Sequence, residues 1–113
     1  MHELGITRNI VAIATEYCEG AKVRRVVVKI GQLSAIVPDA IRFCFDVCCQ
    51  GTPLEGAILE IREIPGRASC CECGREIPLT KPFGSCTCGS ERLDIFQGEE
   101  LTVEELELEK LSV

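Results

Sequence analysis

Two short cysteine clusters, twelve residues apart, constrain this 113-residue chain more than any other feature. They lie in the segment RASCCECGREIPLTKPFGSCTCGS, where Cys70 and Cys73 form a CxxC turn followed by Gly74, and Cys86 and Cys88 form a second turn followed by Gly89. Paired thiols with a glycine after each pair are what a zinc ribbon needs to close four sulfurs into a tetrahedron at about 2.3 Å from the metal. The glycines permit the tight backbone turn that points both sulfurs inward. Four thiolates leave no open coordination position, so such a zinc is structural. Zinc is expected ahead of iron on softness and availability. The second cluster reads CxC where the usual knuckle reads CxxC, and Cys71 offers a competing thiolate beside Cys70, so the ligand set stays open at that point.

The chain holds nine cysteines, an odd number that cannot all pair as internal disulfides. The opening residues MHELGITRNI contain no basic run followed by an apolar stretch and a cleavage site. No run approaches the roughly 18 apolar residues of a membrane span. The expectation is a cytoplasmic chain with reduced thiols and no membrane partner. Cys18, Cys44, Cys48 and Cys49 then read as small packing residues of two helices, with the adjacent Cys48 and Cys49 on different faces.

Ile6, Ile10, Ile13, Ala14 and Tyr17 recur at helical spacing between Leu4 and Cys18, and Gly20 stands where a left-handed terminator belongs. From Lys22 to Leu33 the run KVRRVVVKIGQL reads as a half-buried strand with Val26, Val28 and Ile30 on one face. Pro38 opens a second helix carrying Ile41, Cys44, Phe45 and Cys48, and Gly51-Thr52-Pro53 ends it. Ala57 to Ile64 reads as a second strand, and Pro65-Gly66 breaks it. From Arg67 to about Gly98 periodic aliphatics give way to Cys, Gly and Pro, which predicts a stretch without a core of its own. Leu101, Val103, Leu106 and Leu108 then return as a strand with a bulge, or as a short helix.

The pattern predicts an α+β fold: two helices packed on a small three-stranded sheet, with an inserted zinc-ribbon-like subdomain. Residues 1–66 plus 98–113 would form the α+β domain, and residues 67–97 the zinc-binding insert.

The only histidine is His2, between Met1 and Glu3. A free Met1 amine, a deprotonated amide and the His2 imidazole can close fused chelate rings on one cation, in the tetragonal nitrogen geometry that nickel(II) and copper(II) prefer. This requires Met1 to be retained, as the bulk of His2 predicts. The Glu3 carboxylate also has a plain role, stabilising a helix N-terminus by about 0.3–1 kcal/mol through the helix dipole.

The formal net charge of -6 opposes nucleic-acid binding, which depends on clustered Lys and Arg. No nucleophile has a histidine base near it in sequence, so no hydrolytic constellation is visible and the chain is not expected to be an enzyme.

Together, MHELGITRNIV, GQLSAIVPDAIRFCFDVCCQGTPLEG, PGRASCCECG and GEELTVEELELE resemble the HypA/HybF family of nickel-iron hydrogenase maturation proteins, over nearly the whole chain. The resemblance implies a nickel metallochaperone whose nickel(II) sits on Met1, His2 and Glu3, with zinc on Cys70, Cys73, Cys86 and Cys88. It also implies delivery to the hydrogenase large subunit with a HypB-type GTPase and, for some members, a role in urease maturation. The chain departs from the family at SCTCGS, where Ser85 stands in place of the third cysteine of CPxCGS and either Cys86 or Cys71 must take over. Monomer and homodimer both remain open. The alternatives are a zinc-ribbon interaction module without nickel transfer and an electron-transfer protein with iron on the four cysteines.

Overall fold

The helical spacing at the start of the chain becomes α1 in a computed structural model that describes residues 3–109. The elements run α1 (Glu3–Tyr17), β1 (Val23–Gly31), α2 (Pro38–Cys49), β2 (Ile58–Ile64), β3 (Gly66–Cys70), β4 (Glu76–Leu79), β5 (Leu93–Gln97) and β6 (Leu101–Leu108). The α+β class follows, with strand orders β2-β1-β6 and β4-β3-β5 in two three-stranded sheets. Among the described residues no helix is long and apolar enough to cross a membrane.

Contacts along the chain define two compact units. The first contains the described residues up to Val28, Val37–Arg62 and those from Thr102 onward; the second contains Lys29–Ile36 and Glu63–Leu101.

In the first unit α1 and α2 pack against each other. The buried stripe of α1 is Ile6, Thr7, Ile10, Val11 and Ala14, a face rotated from the expected one, so that Ile13 and Tyr17 are exposed. Thr7 fits this stripe because its hydroxyl donates to the Glu3 carbonyl at 2.7 Å, leaving no buried polar atom unpaired. Past α1, Glu19 and Gly20 take positive φ values of 50° and 84°, and Gly20 fills its expected terminating role. Pro38 starts α2 after an extended Val37, as the residue before proline prefers. Ile41, Phe45 and Cys49 are buried there, Cys44 and Cys48 half-buried, and Phe43 and Val47 exposed.

Strand β1 lies between β2 and β6, and this central position buries Val27 as well as Val26 and Val28. Arg25 bridges Glu60 of β2 at 2.8 Å and Glu107 of β6 at 3.0 Å, while Arg62 bridges Glu60 at 3.1 Å and Glu104 at 3.2 Å. The last apolar segment is thus a strand and not a helix, with Val103 and Leu106 as its half-buried positions.

The second unit corrects an expectation, because the cysteine-rich stretch does have a small core. Strand β3 pairs antiparallel with β4 (Ala68 opposite Ile77) and with β5 (Ala68 opposite Ile95). Alternation along these strands turns Ala68, Cys70, Ile77 and Leu79 inward, where they cluster with Leu33 and Cys86, and Leu93 and Ile95 pack on the cluster. Three glycines crowd where the strands enter and leave this unit. A Cβ on Gly31 would meet the Gly98 carbonyl oxygen at 1.9 Å, and one on Gly98 would meet the Gly66 Cα at 2.6 Å.

Candidate metal centre

Cys70 ends β3, and the chain reverses immediately into β4. In this first knuckle the Cys70 N–H donates to the Arg75 carbonyl at 2.8 Å, and the Gly74 N–H returns to the Cys70 carbonyl at 2.9 Å. Gly74 holds φ at 76°, the left-handed conformation expected of it. The second knuckle repeats the pattern one residue tighter: Cys86 N–H to the Ser90 carbonyl at 2.8 Å, Gly89 N–H to the Cys86 carbonyl at 2.9 Å, and Gly89 at φ 95°. Both closing bonds span one residue fewer than in the first knuckle. The missing residue of the CxC cluster is therefore absorbed inside the turn.

The two turns bring the sulfurs of Cys70, Cys73, Cys86 and Cys88 within 4.8 Å of one another. The Cys70–Cys88 sulfur separation is 3.6 Å and the Cys73–Cys86 separation 3.5 Å. A tetrahedral zinc with 2.3 Å bonds spaces its sulfurs by about 3.8 Å, so the cluster already has close to the required size. Cys71 is outside the group and exposed, its N–H donating to the Arg92 carbonyl at 2.9 Å. Ser85 contributes no sulfur, and Cys86 takes the third position. Arg92 bridges Glu72 at 3.2 Å and the Arg75 side chain donates to the Thr87 hydroxyl, two links between the knuckles that cysteine spacing alone does not signal.

Protonation follows from the turns. Backbone N–H groups of Cys73 and Glu72 favour the Cys70 thiolate and bring its thiol down to about 6, and the Cys88 N–H lowers Cys86 likewise. The Ser90 N–H pulls Cys88 down too, yet sharing a proton with the Cys70 and Cys86 sulfurs outweighs it and pushes Cys88 up to about 11. Four thiolates this close repel one another unless a cation sits among them, and a soft divalent ion suits all four. Because protons compete with the metal for sulfur, acid should strip it. Metal retention is therefore expected to fall as pH drops, with the lowered Cys70 and Cys86 thiols holding out further into acid than ordinary thiols would. A zinc-release titration with a chromogenic chelator checks this; release that is flat between pH 8.5 and pH 5 would contradict it.

The other sequence-derived site is only partly in view. Glu3 is the first residue of α1 and half-buried, whereas Met1 and His2 lie outside the described residues. Cys18, Cys44, Cys48 and Cys49 are free thiols of the helical unit, and Cys18 and Cys49 are buried there. Burial pushes the Cys49 thiol up to about 12, which fits a packing residue and not a ligand.

An α+β scaffold with an excursion that closes four thiolates on one point defines a metal-binding protein with a ribbon-like insert. Residues 1–108 match the family described as hydrogenase/urease nickel incorporation, metallochaperone, hypA. The chain is 66% identical over 113 residues to the hydrogenase maturation factor HypA of Trichormus variabilis, covering all of both chains. It is 46% identical over 110 residues to the factor of the same name from Geobacter metallireducens, covering 96% of this chain and all of the other. In three dimensions it is similar to the nickel metallochaperone HypA of Helicobacter pylori, with a TM-score of 0.70 at 28% identity, covering 96% of this chain and 97% of that one. The chain belongs to the HypA family of nickel-incorporation metallochaperones that serve hydrogenase maturation.

Proposed function

We propose that this protein carries nickel(II) on its first three residues and holds one structural zinc on Cys70, Cys73, Cys86 and Cys88. The observation that carries the reading is a match to a nickel-incorporation family that begins at residue 1 and so includes Met1, His2 and Glu3. The Met1 amine, the His2 amide and imidazole and the Glu3 backbone nitrogen supply the tetragonal nitrogen set that nickel(II) prefers. Such a site is sensitive to protons, which suits a carrier that must release its cargo. Zinc contributes a cross-link between the two knuckles and takes no part in a reaction.

The cargo goes to the large subunit of a nickel-iron hydrogenase in the cytoplasm, with a HypB-type GTPase as working partner, and urease maturation is a second destination. The protein transfers an ion and catalyses no covalent step. It works as a monomer or a homodimer.

Titrating reduced, zinc-loaded protein with nickel(II) tests this, following absorbance and heat for the native chain, for His2→Ala and for a chain extended by one residue before Met1. The native chain is expected to bind about one nickel, both variants to lose it, and the native complex to discharge on acidification, because protons compete with nickel for the amine, amide and imidazole nitrogens. Equal binding by all three would leave a zinc-ribbon interaction module without nickel transfer.

A further inference from the structure

The four clustered sulfurs are also arranged for oxidation. Two close separations each join an exposed cysteine to a buried one: Cys88 with Cys70 at 3.6 Å, and Cys73 with Cys86 at 3.5 Å. Both pairs run between the knuckles. Closing a disulfide within the second knuckle would instead bridge residues separated by one position, in a turn already one residue tighter than its neighbour.

We propose that the metal centre is a hydroperoxide-sensitive modification site that oxidises to two cross-knuckle disulfides, Cys70–Cys88 and Cys73–Cys86, with release of the zinc. The more exposed cysteine of each pair meets the oxidant. Its thiolate attacks the peroxide O–O bond and becomes a sulfenic acid as water leaves; the buried partner thiolate then attacks that sulfur, forms the S–S bond and expels hydroxide, which is protonated to water. Over both pairs, four thiolates lose four electrons, and two peroxides with four protons become four waters. The sulfurs no longer bind the cation, which departs as an aqueous ion. The new bonds take over the zinc's task of joining the knuckles, so the oxidised unit keeps its sheet while losing its metal. The proposal rests on the zinc reading above, and the zinc content of the starting protein tests that reading separately.

The test uses the full-length zinc-loaded chain carrying Cys71→Ser, a residue outside the cluster. Hydrogen peroxide is added at two equivalents, zinc release is followed with a chromogenic chelator, and the product is digested with trypsin without reduction. Cleavage after Arg67, Arg75 and Arg92 places Cys70 and Cys73 on one peptide and Cys86 and Cys88 on another. The expected result is loss of the whole zinc signal, the two peptides joined as one mass, and fragmentation that assigns Cys70 to Cys88. Amide dispersion of residues in β3 to β5 is expected to survive, and dithiothreitol with added zinc to restore the starting state. Separate peptides with a disulfide inside each, bonds to Cys18, Cys44, Cys48 or Cys49, or a dimer through the cluster would each overturn it. Protein that starts without one zinc per chain would instead refute the zinc reading.

Discussion

Replacing Cys70 by alanine, together with Cys71→Ser so that no neighbouring thiol steps in, is expected to unfold the second unit and leave the helices in place. Two of the six buried residues of that unit's core, Cys70 and Cys86, are also members of the sulfur cluster. Metal centre and apolar core are therefore one object. The other four, Leu33, Ala68, Ile77 and Leu79, each contribute on the order of 1–3 kcal/mol when buried, against about 1–2 kcal/mol of backbone entropy for every residue ordered. Structural zinc in small domains supplies about 10–16 kcal/mol of apparent binding energy, and on the proposed zinc reading that would tip the balance. In the variant, amide signals from β3 to β5 should collapse toward random-coil shifts, while circular dichroism at 222 nm stays near its native value because α1 and α2 belong to the other unit. Retained dispersion with one zinc still bound would mean that Cys70 is not needed to hold the metal.

Gly31→Ala is expected to cost about 3 kcal/mol or more, and to lower the melting temperature by roughly 10–20 °C. The added methyl would lie 1.9 Å from the Gly98 carbonyl oxygen and 2.1 Å from its carbon, which are backbone atoms with no rotamer to escape into. That backbone is pinned on both sides: Gly31 N–H donates to the Glu100 carbonyl and Leu33 N–H to the Gly98 carbonyl, each at 2.7 Å. Gly98 itself sits at φ 112°, where a side chain is strained wherever the space lies. Gly5→Ala supplies the opposite sign as a control. Gly5 lies in α1 with nothing within 4 Å of a new Cβ, so this change should stabilise by about 0.5–1 kcal/mol through helix propensity. Urea unfolding of zinc-loaded protein reads both, and equal midpoints for the two variants would refute the crowding argument.

Much of this architecture is visible in the chain itself. The two helices and β1 and β2 are long, periodic and punctuated by Gly20, Pro38, Gly51 and Pro65, so the α+β pattern follows from spacing, whereas the slipped alternation of β6 left strand and short helix both open. Strands β3 to β5 do not announce themselves, being four or five residues each, with Pro78 inside one and Cys70 at an inward position of another. Counting Cys70 as apolar would have revealed alternation in RASC, as Ile77 and Leu79 do in EIPL. The exposure of Ile13 and Tyr17 was equally hidden, because helical spacing marks an apolar face without saying which half of it meets a neighbour. For the four sulfurs, spacing located the cluster but could not choose between Cys71 and Cys86. The choice depends on how the tighter turn closes, through hydrogen bonds from Cys86 and Gly89 that involve no side chain.

The arginine–glutamate lattice across β2, β1 and β6 changes how the net charge of -6 presents itself to another molecule. Glu60, Glu104 and Glu107 share the two guanidinium groups of Arg25 and Arg62, so the glutamate-rich last strand presents less free negative charge than its sequence suggests. A positively charged protein approaching that sheet would have to displace resident guanidinium groups, each exchange returning little net energy in physiological salt. On this face the fold answers most of its own charges.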